Sequence, residues 1–164
     1  MLEALDTRLL VAMRTRFHRP AAEAVMRALG RAGEYGAVWL LLGLVLAAVD
    51  PGRREAWLVA GALGPAAIVL NYGVKLAVRR PRPVLEGLPP LGAAPSSLSF
   101  PSAHSTSSFA VATAATRIAP EAAVLYVLAT AIAVGRPYLG MHYPSDVLAG
   151  ALLGTAFGLL VPLP

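Results

Sequence analysis

The stretch AWLVAGALGPAAIVLNYGV, Ala56 to Val74, holds no charged side chain and runs directly into Lys75. A helix needs roughly 20 apolar residues to cross a bilayer, so this stretch reads as a membrane span and sets the fold class. Further uncharged runs extend from Tyr35 to Val49, from Ala122 to Gly135 and from Val147 to Pro164. The last is long enough by itself, and the other two must borrow a turn at their ends. A further helix is expected from about Ala103 to Ile118. Its Ser105, Thr106, Ser107, Ser108 and Thr113 would be costly against lipid, so it belongs inside the bundle with its hydroxyls bonded to neighbouring helices. Composition agrees: the 164 residues are 57% hydrophobic and 14% charged, without cysteine, and the mean hydropathy is +0.64. Soluble domains carry about 25% charged residues, so an ordinary soluble domain, a disordered tail and a disulfide scaffold are all excluded. The expected fold is all-α, an integral membrane bundle of about five transmembrane helices packed through Gly and Ala.

Residues 1–33 differ in kind. They carry Arg8, Arg14, Arg16, Arg19, Arg27 and Arg31, with Glu3, Asp6 and Glu23, between Leu, Val and Met residues spaced three and four apart. Such a pattern predicts an amphipathic interfacial segment, divided by Pro20 into two short helices. A cleaved signal peptide fits poorly, because no uninterrupted apolar run precedes a small-residue cleavage site. The expected division is therefore 1–33, interfacial, and 34–164, the membrane-embedded core. A long connection, 79–102, is rich in Arg and Pro and includes Pro95; a second runs from Gly135 to Asp146. Helices of alternating direction would put both connections and the N-terminal segment on one face, where chemistry belongs. That face would hold 11 of the 14 cations, which favours the cytoplasmic side of the plasma membrane.

Three residue sets could carry chemistry. Lys75, Arg79 and Arg82 stand at helical offsets of four and seven, so on one continuous helix their cations would converge, either as an anion site or as side chains snorkelling to headgroups. Ser102 reads as the N-cap of the polar helix. Its first-turn amides, with His104 at their edge, would suit a phosphate, unless the motif is a plain cap. The run from Gly135 to Asp146 contains Arg136 and His142, with Pro144 placed to open the last helix. Asp146 either complements the helix dipole or accepts the ring N–H of His142, leaving the other nitrogen as a nucleophile. Taken together, the cations, a hydroxyl and a helix N-terminus can bind phosphoryl oxygens, while two histidines and a carboxylate supply nucleophile, acid and orienting base. With no thiolate and only three histidines, no metal site and no cofactor are expected.

The three sets together resemble the type 2 phosphatidic acid phosphatases, the PAP2 family of lipid phosphate phosphatases related to vanadium haloperoxidases. That family carries Lys, six residues, Arg-Pro; then Pro-Ser-Gly-His; then Ser-Arg, five residues, His, three residues, Asp. Here the first is Lys75 with Arg82-Pro83, the second Pro101 to His104, and the third Arg136, His142 and Asp146. The resemblance covers roughly residues 35 to 160. It implies that His142 attacks phosphorus to form a phosphohistidine, that Asp146 orients it, and that His104 protonates the leaving oxygen and then activates water. Lys75, Arg82, Ser102, Ala103 and Arg136 would hold the phosphate, and Arg79 and Arg80 could meet a second one.

Gly135 departs from the family serine, Ala103 from its glycine, and of the family's usual six spans the first is not expected here, the reading beginning with the surface segment that follows it. Relatives with that span are expected to work outside the cell, against the charge count. The implied partners are the bilayer and a phosphorylated membrane lipid, with no nucleic acid. Candidate substrates are polyprenyl diphosphates, phosphatidylglycerol phosphate, phosphatidic acid and a polyprenyl-phosphoribose phosphate, to which the string from Leu98 to His104 points. A catalytically silent lipid-phosphate-binding protein is the alternative of a different class.

Overall fold

The computed structural model describes residues 2–92 and 96–164, so Ala93, Ala94 and Pro95 of the long connection lie outside the described residues. Its elements are all helical: α1 (Leu2–Thr15), α2 (Pro20–Ala32), α3 (Ala37–Val49), α4 (Arg54–Val78), α5 (Ala103–Ile118), α6 (Leu125–Tyr138) and α7 (Pro144–Leu160), with single-turn helices at Glu34–Gly36, Pro51–Arg53 and Pro120–Val124. Pro20 and Pro144 each occupy the start of their helix, where a missing N–H costs nothing.

Helix α5 is the axis of the bundle. Ser105, Thr106, Ser107 and Ser108 are fully buried, and three of the four hydroxyls are bonded to neighbouring helices as the sequence predicts. Ser105 Oγ donates to Val147 O of α7 at 2.7 Å, Thr106 Oγ1 accepts from Asn71 Nδ2 of α4 at 2.9 Å, and Ser108 Oγ accepts from the indole of buried Trp39 on α3 at 3.0 Å, whereas Ser107 Oγ donates to His104 O of its own helix at 3.2 Å. Helix α7 lies against α5 through Gly150, Gly154 and Gly158. A Cβ at any of the three would run into the carbonyl oxygen of Ser102, Thr106 or Ala110 respectively. Without side chains in the seam the backbones approach closely, the small-residue packing favoured between helices in lipid. Gly43 and Gly61 meet in the same way between α3 and α4. The apolar core between these seams includes Trp39, Ala67, Ala110, Ala112 and Ile132.

Pro51–Val78 is long and apolar enough to cross a membrane. Pro20–Ala32 and Glu34–Val49 satisfy the same criterion only as a pair bent by 50°, and Pro144–Leu160 is a shorter apolar helix. Among the described residues one helix therefore meets the criterion for a span by itself, and the other helices of the expected membrane core are shorter or less apolar than a simple span requires.

The turns at 50–53 and 119–124 gather at one end, tied by Arg53 Nη1 donating to Ile118 O at 3.1 Å. The Tyr35 turn, the long connection and the α6–α7 connection gather at the other, together with α1 and α2. Arg14 of α1 reaches into this end, donating to Leu139 O at 3.1 Å and Pro89 O at 2.9 Å. The N-terminal segment thus packs on the loops while Leu5 and Leu9 of α1 and Phe17 of the turn that follows it stay exposed.

Candidate active site

At the loop-rich end lies a cavity of about 440 Å³, lined among others by Asn71, Tyr72, Lys75, Arg82, Ala103, His104, Arg136 and His142. Most of the residues singled out by spacing therefore meet, although the route differs from expectation. Helix α4 stops at Val78, and Arg79 takes a left-handed conformation with φ 54°. Pro81 follows immediately after Arg80, and the residue before a proline is steered away from helical dihedrals, so the helix cannot carry through to Arg82. Arg79 and Arg82 consequently diverge: Arg79 is exposed, its Nε donating to Leu76 O at 3.0 Å, while Arg82 turns back into the cavity.

The long connection is ordered where it borders the site, through an antiparallel bridge between Pro81 and Leu98. Arg82 N donates to Ser97 O at 3.1 Å and Ser99 N to Arg80 O at 2.8 Å. Lys75, 5% exposed, donates to Leu98 O at 3.1 Å and Ser99 O at 3.0 Å, which leaves one of its three donors free. Arg82 Nε donates to Ser96 O at 2.7 Å, and its Nη1 donates to Met141 O and, at 3.0 Å, to His142 Nε2. A guanidinium can only donate, so Nε2 of His142 is the accepting nitrogen and the ring proton sits on Nδ1. Nδ1 faces Asp146 Oδ2 at 3.6 Å, beyond hydrogen-bonding distance and without another partner among the described residues. Burial holds the His142 imidazolium far below its ordinary range, to about 3; Asp146 opposes that shift and Arg82 adds to it. The resting imidazole is therefore neutral with its lone pair toward the cations, the state a nucleophile requires.

Arg136 stands apart. It is 6% exposed, its Nε has no hydrogen-bond partner, and its guanidinium forms no ion pair among the described residues. A buried cation left unpaired beside Lys75 and Arg82 is an anion site in the making. His104 is oriented by the N-terminal segment: its Nε2–H donates to Gly30 O of α2 at 2.9 Å, and its Nδ1 has no hydrogen-bond partner among the described residues. Gly33 and Tyr35 close the rim, with Tyr35 in a left-handed turn (φ 55°) and 75% exposed.

Ser102 is the N-cap of α5 as expected, but its hydroxyl is spent on a weak 3.5 Å cap to Ser105 N and the residue is fully buried. Ala103 and His104, not Ser102, reach the cavity wall. Arg80, expected beside a second phosphate, is instead bound to two carboxylates, Asp146 Oδ1 at 2.7 Å and Asp6 Oδ2 at 2.8 Å. Neither Arg79 nor Arg80 lines the cavity. Two residues escaped the sequence reading. Asn71 lies one turn before Lys75 on the same face of α4. Asp6 shares an i, i+4, i+8 stripe with buried Leu10 and Arg14, a signal its acidic side chain obscured.

Among the described residues no group of three or more His, Cys, Asp or Glu could hold a metal ion. Comparison with known proteins places this geometry. The family model of the PAP2 superfamily matches residues 55–163. The decaprenylphosphoryl-5-phosphoribose phosphatase of Mycobacterium tuberculosis (strain H37Rv) is 42% identical over 143 residues, 87% of this chain and 80% of the relative. That of Mycolicibacterium smegmatis is 39% identical over 134 residues, 80% of this chain and 73% of the relative. Among solved structures, the transmembrane PAP2-type phosphatidylglycerolphosphate phosphatase of Bacillus subtilis superposes with a TM-score of 0.76 at 26% identity, covering 97% of this chain and 83% of that one. Aquifex aeolicus LpxE, at 24% identity and a TM-score of 0.72, covers 95% of this chain and 93% of its own, and shares the fold. With its core matched by the family model and its relatives named as phosphatases, the chain belongs to the PAP2 superfamily and is a hydrolase of the lipid-phosphate phosphatase type.

Proposed function

We propose that the protein removes the terminal phosphate of a polyprenyl-phosphoribose phosphate through a phosphohistidine formed on His142. The observation that carries this reading is the convergence of Lys75, Arg82 and Arg136 with both histidines on one cavity. An arriving phosphate engages Arg82 and the free donors of Lys75 and Arg136, and the amide of Ala103 adds the positive end of α5. Arg82 thereby releases His142 Nε2, which attacks phosphorus as the P–O bond to the leaving group breaks. His104, protonated on Nδ1, gives that proton to the departing oxygen. Water then loses a proton to His104 and attacks the phosphohistidine, freeing phosphate and restoring His142. Asp146 Oδ2, close to Nδ1–H, stabilises the positive charge that His142 acquires on attack.

The substrate choice rests on the relatives' printed activity and on the position of Arg80. A diphosphate would need a second set of free cations, and Arg80 is committed to Asp6 and Asp146. The core, 34–164, spans the membrane about five times while 1–33 lies at its surface. Arg8, Arg16, Arg19, Arg27 and Arg31 remain exposed on that segment, which favours a cytoplasmic active site. A reporter active only outside the cell, fused at the C-terminus, should then be active; an inactive one refutes the sidedness.

The decisive experiment assays phosphate release by the full chain in detergent from a panel comprising polyprenylphosphoryl-5-phosphoribose, polyprenyl diphosphate, phosphatidic acid and phosphatidylglycerol phosphate. Acid quenching should be avoided, because a phosphohistidine is acid-labile, and the labelled enzyme trapped under alkaline conditions should disappear in His142→Ala. Phosphate binding with no turnover would instead mark a silent lipid-binding protein. Turnover in His142→Ala would overturn the nucleophile.

A further inference from the structure

Asp6 of α1 has no place in the chemistry described above, yet it is 5% exposed and is bound to the helix that carries Asp146. Ser145 N donates to Asp6 Oδ1 at 2.9 Å, and the Ser145 hydroxyl donates to Asp6 Oδ2. Helix α7 opens without a serine, threonine or asparagine at its N-cap, so Asp6 serves as a cap supplied by a helix 139 residues away. The same carboxylate shares Arg80 with Asp146: Nη2 donates to Asp6 Oδ2 at 2.8 Å, and Nη1 donates to Asp146 Oδ1 at 2.7 Å and to Ser145 Oγ at 2.7 Å. The guanidinium carbon of Arg80 lies over the Tyr143 ring, 4.1 Å from its centroid.

We infer that Asp6, acting through Arg80, is a positioning residue for the Asp146–His142 pair. The inference rests on the phosphohistidine reading and goes beyond it. Asp146 is fully buried, and its two oxygens have separate duties. Oδ1 takes Arg80, whereas Oδ2 takes Tyr143 N–H at 2.9 Å and faces His142 Nδ1. Turning the carboxylate about its own axis would move Oδ2 away from the ring, and Arg80 prevents that turn. Asp6 in turn anchors the other arm of Arg80 and draws off part of its charge. With Asp6 neutral, the whole cation would act on Asp146 and weaken its hold on the imidazolium formed during attack. Neither Asp6 nor Arg80 lines the phosphate cavity, so phosphate binding is not involved.

The test uses the full chain in detergent and the lipid monophosphate of the panel that is turned over fastest. Asp6→Asn retains an oxygen for the Ser145 amide and so keeps the cap while removing the charge. Its kcat should fall about tenfold, in line with partners that orient a catalytic ligand, with KM within twofold. Arg80→Gln should lose a similar factor, and the double variant should lose no more than the worse single one, since both act on one contact. Arg80→Lys, which keeps the charge but cannot bridge two carboxylates, carries the test if Asp6→Asn fails to fold: kcat should again fall with KM unchanged. An unchanged kcat in Asp6→Asn, losses that multiply in the double variant, or a rise in KM alone would each overturn the inference. His142→Ala run alongside separates the two readings: activity there removes the phosphohistidine itself, whereas an inactive His142→Ala beside a fully active Asp6→Asn removes only the role of Asp6.

Discussion

Arg136→Met should abolish most of the activity while stabilising the protein, a combination that follows from where the guanidinium sits. It is 6% exposed and lacks both an ion pair and an Nε acceptor among the described residues, so in the resting protein it is a desolvated charge with little to offset it. Replacing buried ionic groups by well-packed apolar ones of similar volume often stabilises by about 1–4 kcal/mol. Taking the lower half of that range, about 1–2.5 kcal/mol, and about 2–4 °C per kcal/mol for a chain of this size, Tm should rise by roughly 2 to 10 °C. In the proposed transition state the same group donates charge-assisted hydrogen bonds to a phosphoryl group, each worth about 1.5–3 kcal/mol. Loss of one or two of these, about 1.5–6 kcal/mol in all, at 1.36 kcal/mol per factor of ten, lowers kcat/KM by about 10 to 10⁴. Phosphate release and thermal unfolding measured on the same detergent preparation test both halves. A Tm that drops together with activity would refute the reasoning, for it would make Arg136 a structural prop; activity within threefold of wild type would remove it from the phosphate site.

His104→Ala should lose far more rate on an alkyl phosphate than on a substrate with a good leaving group such as a nitrophenyl phosphate, because only the former needs a proton; equal losses would contradict the general-acid role. Vanadate should inhibit as a five-coordinate mimic of the transition state, and activity should survive excess EDTA; recovery only on adding magnesium would count against the mechanism. Nitrogen-15 spectra of labelled histidine should find His142 as the neutral Nδ1–H form from pH 8 down to 5, since its pKa is pushed down to about 3 by burial. The sign for stability follows: the unfolded chain binds a proton below about 6.5 that the folded chain refuses, so His142 makes the fold less stable as pH drops from 6.5 toward 3. A His142 titration midpoint near 6.5 would refute that burial. Gly154→Leu, which puts a side chain against Thr106 O, should part α7 from α5 and destabilise by several kcal/mol; an unchanged unfolding midpoint would show that the seam is looser than described.

What the sequence by itself determined is local. Charge-free runs, Pro20 and Pro144 at helix starts, Ser102 as a cap and the hydroxyl-rich α5 all reflect the dihedrals and solvation of neighbouring residues, and these act over a few positions along the chain. The spacing of Lys75, Arg82, His104, Arg136, His142 and Asp146 was legible for the same reason, as a pattern, although the offsets of Arg79 and Arg82 misled where Pro81 ends the helix. The tertiary structure decided which of those side chains share a cavity, that Ser102 and Arg80 are turned away from it, and that the N-terminal helices reach the residues that line it. Contacts such as His104 with Gly30, or Arg80 with Asp6, join residues 74 apart in the chain. Separations of that length leave no periodic trace, and an acid such as Asp6 on an arginine-rich helix looks solvated until a buried partner is folded against it. Desolvation makes that partner necessary, and only the packed bundle supplies it.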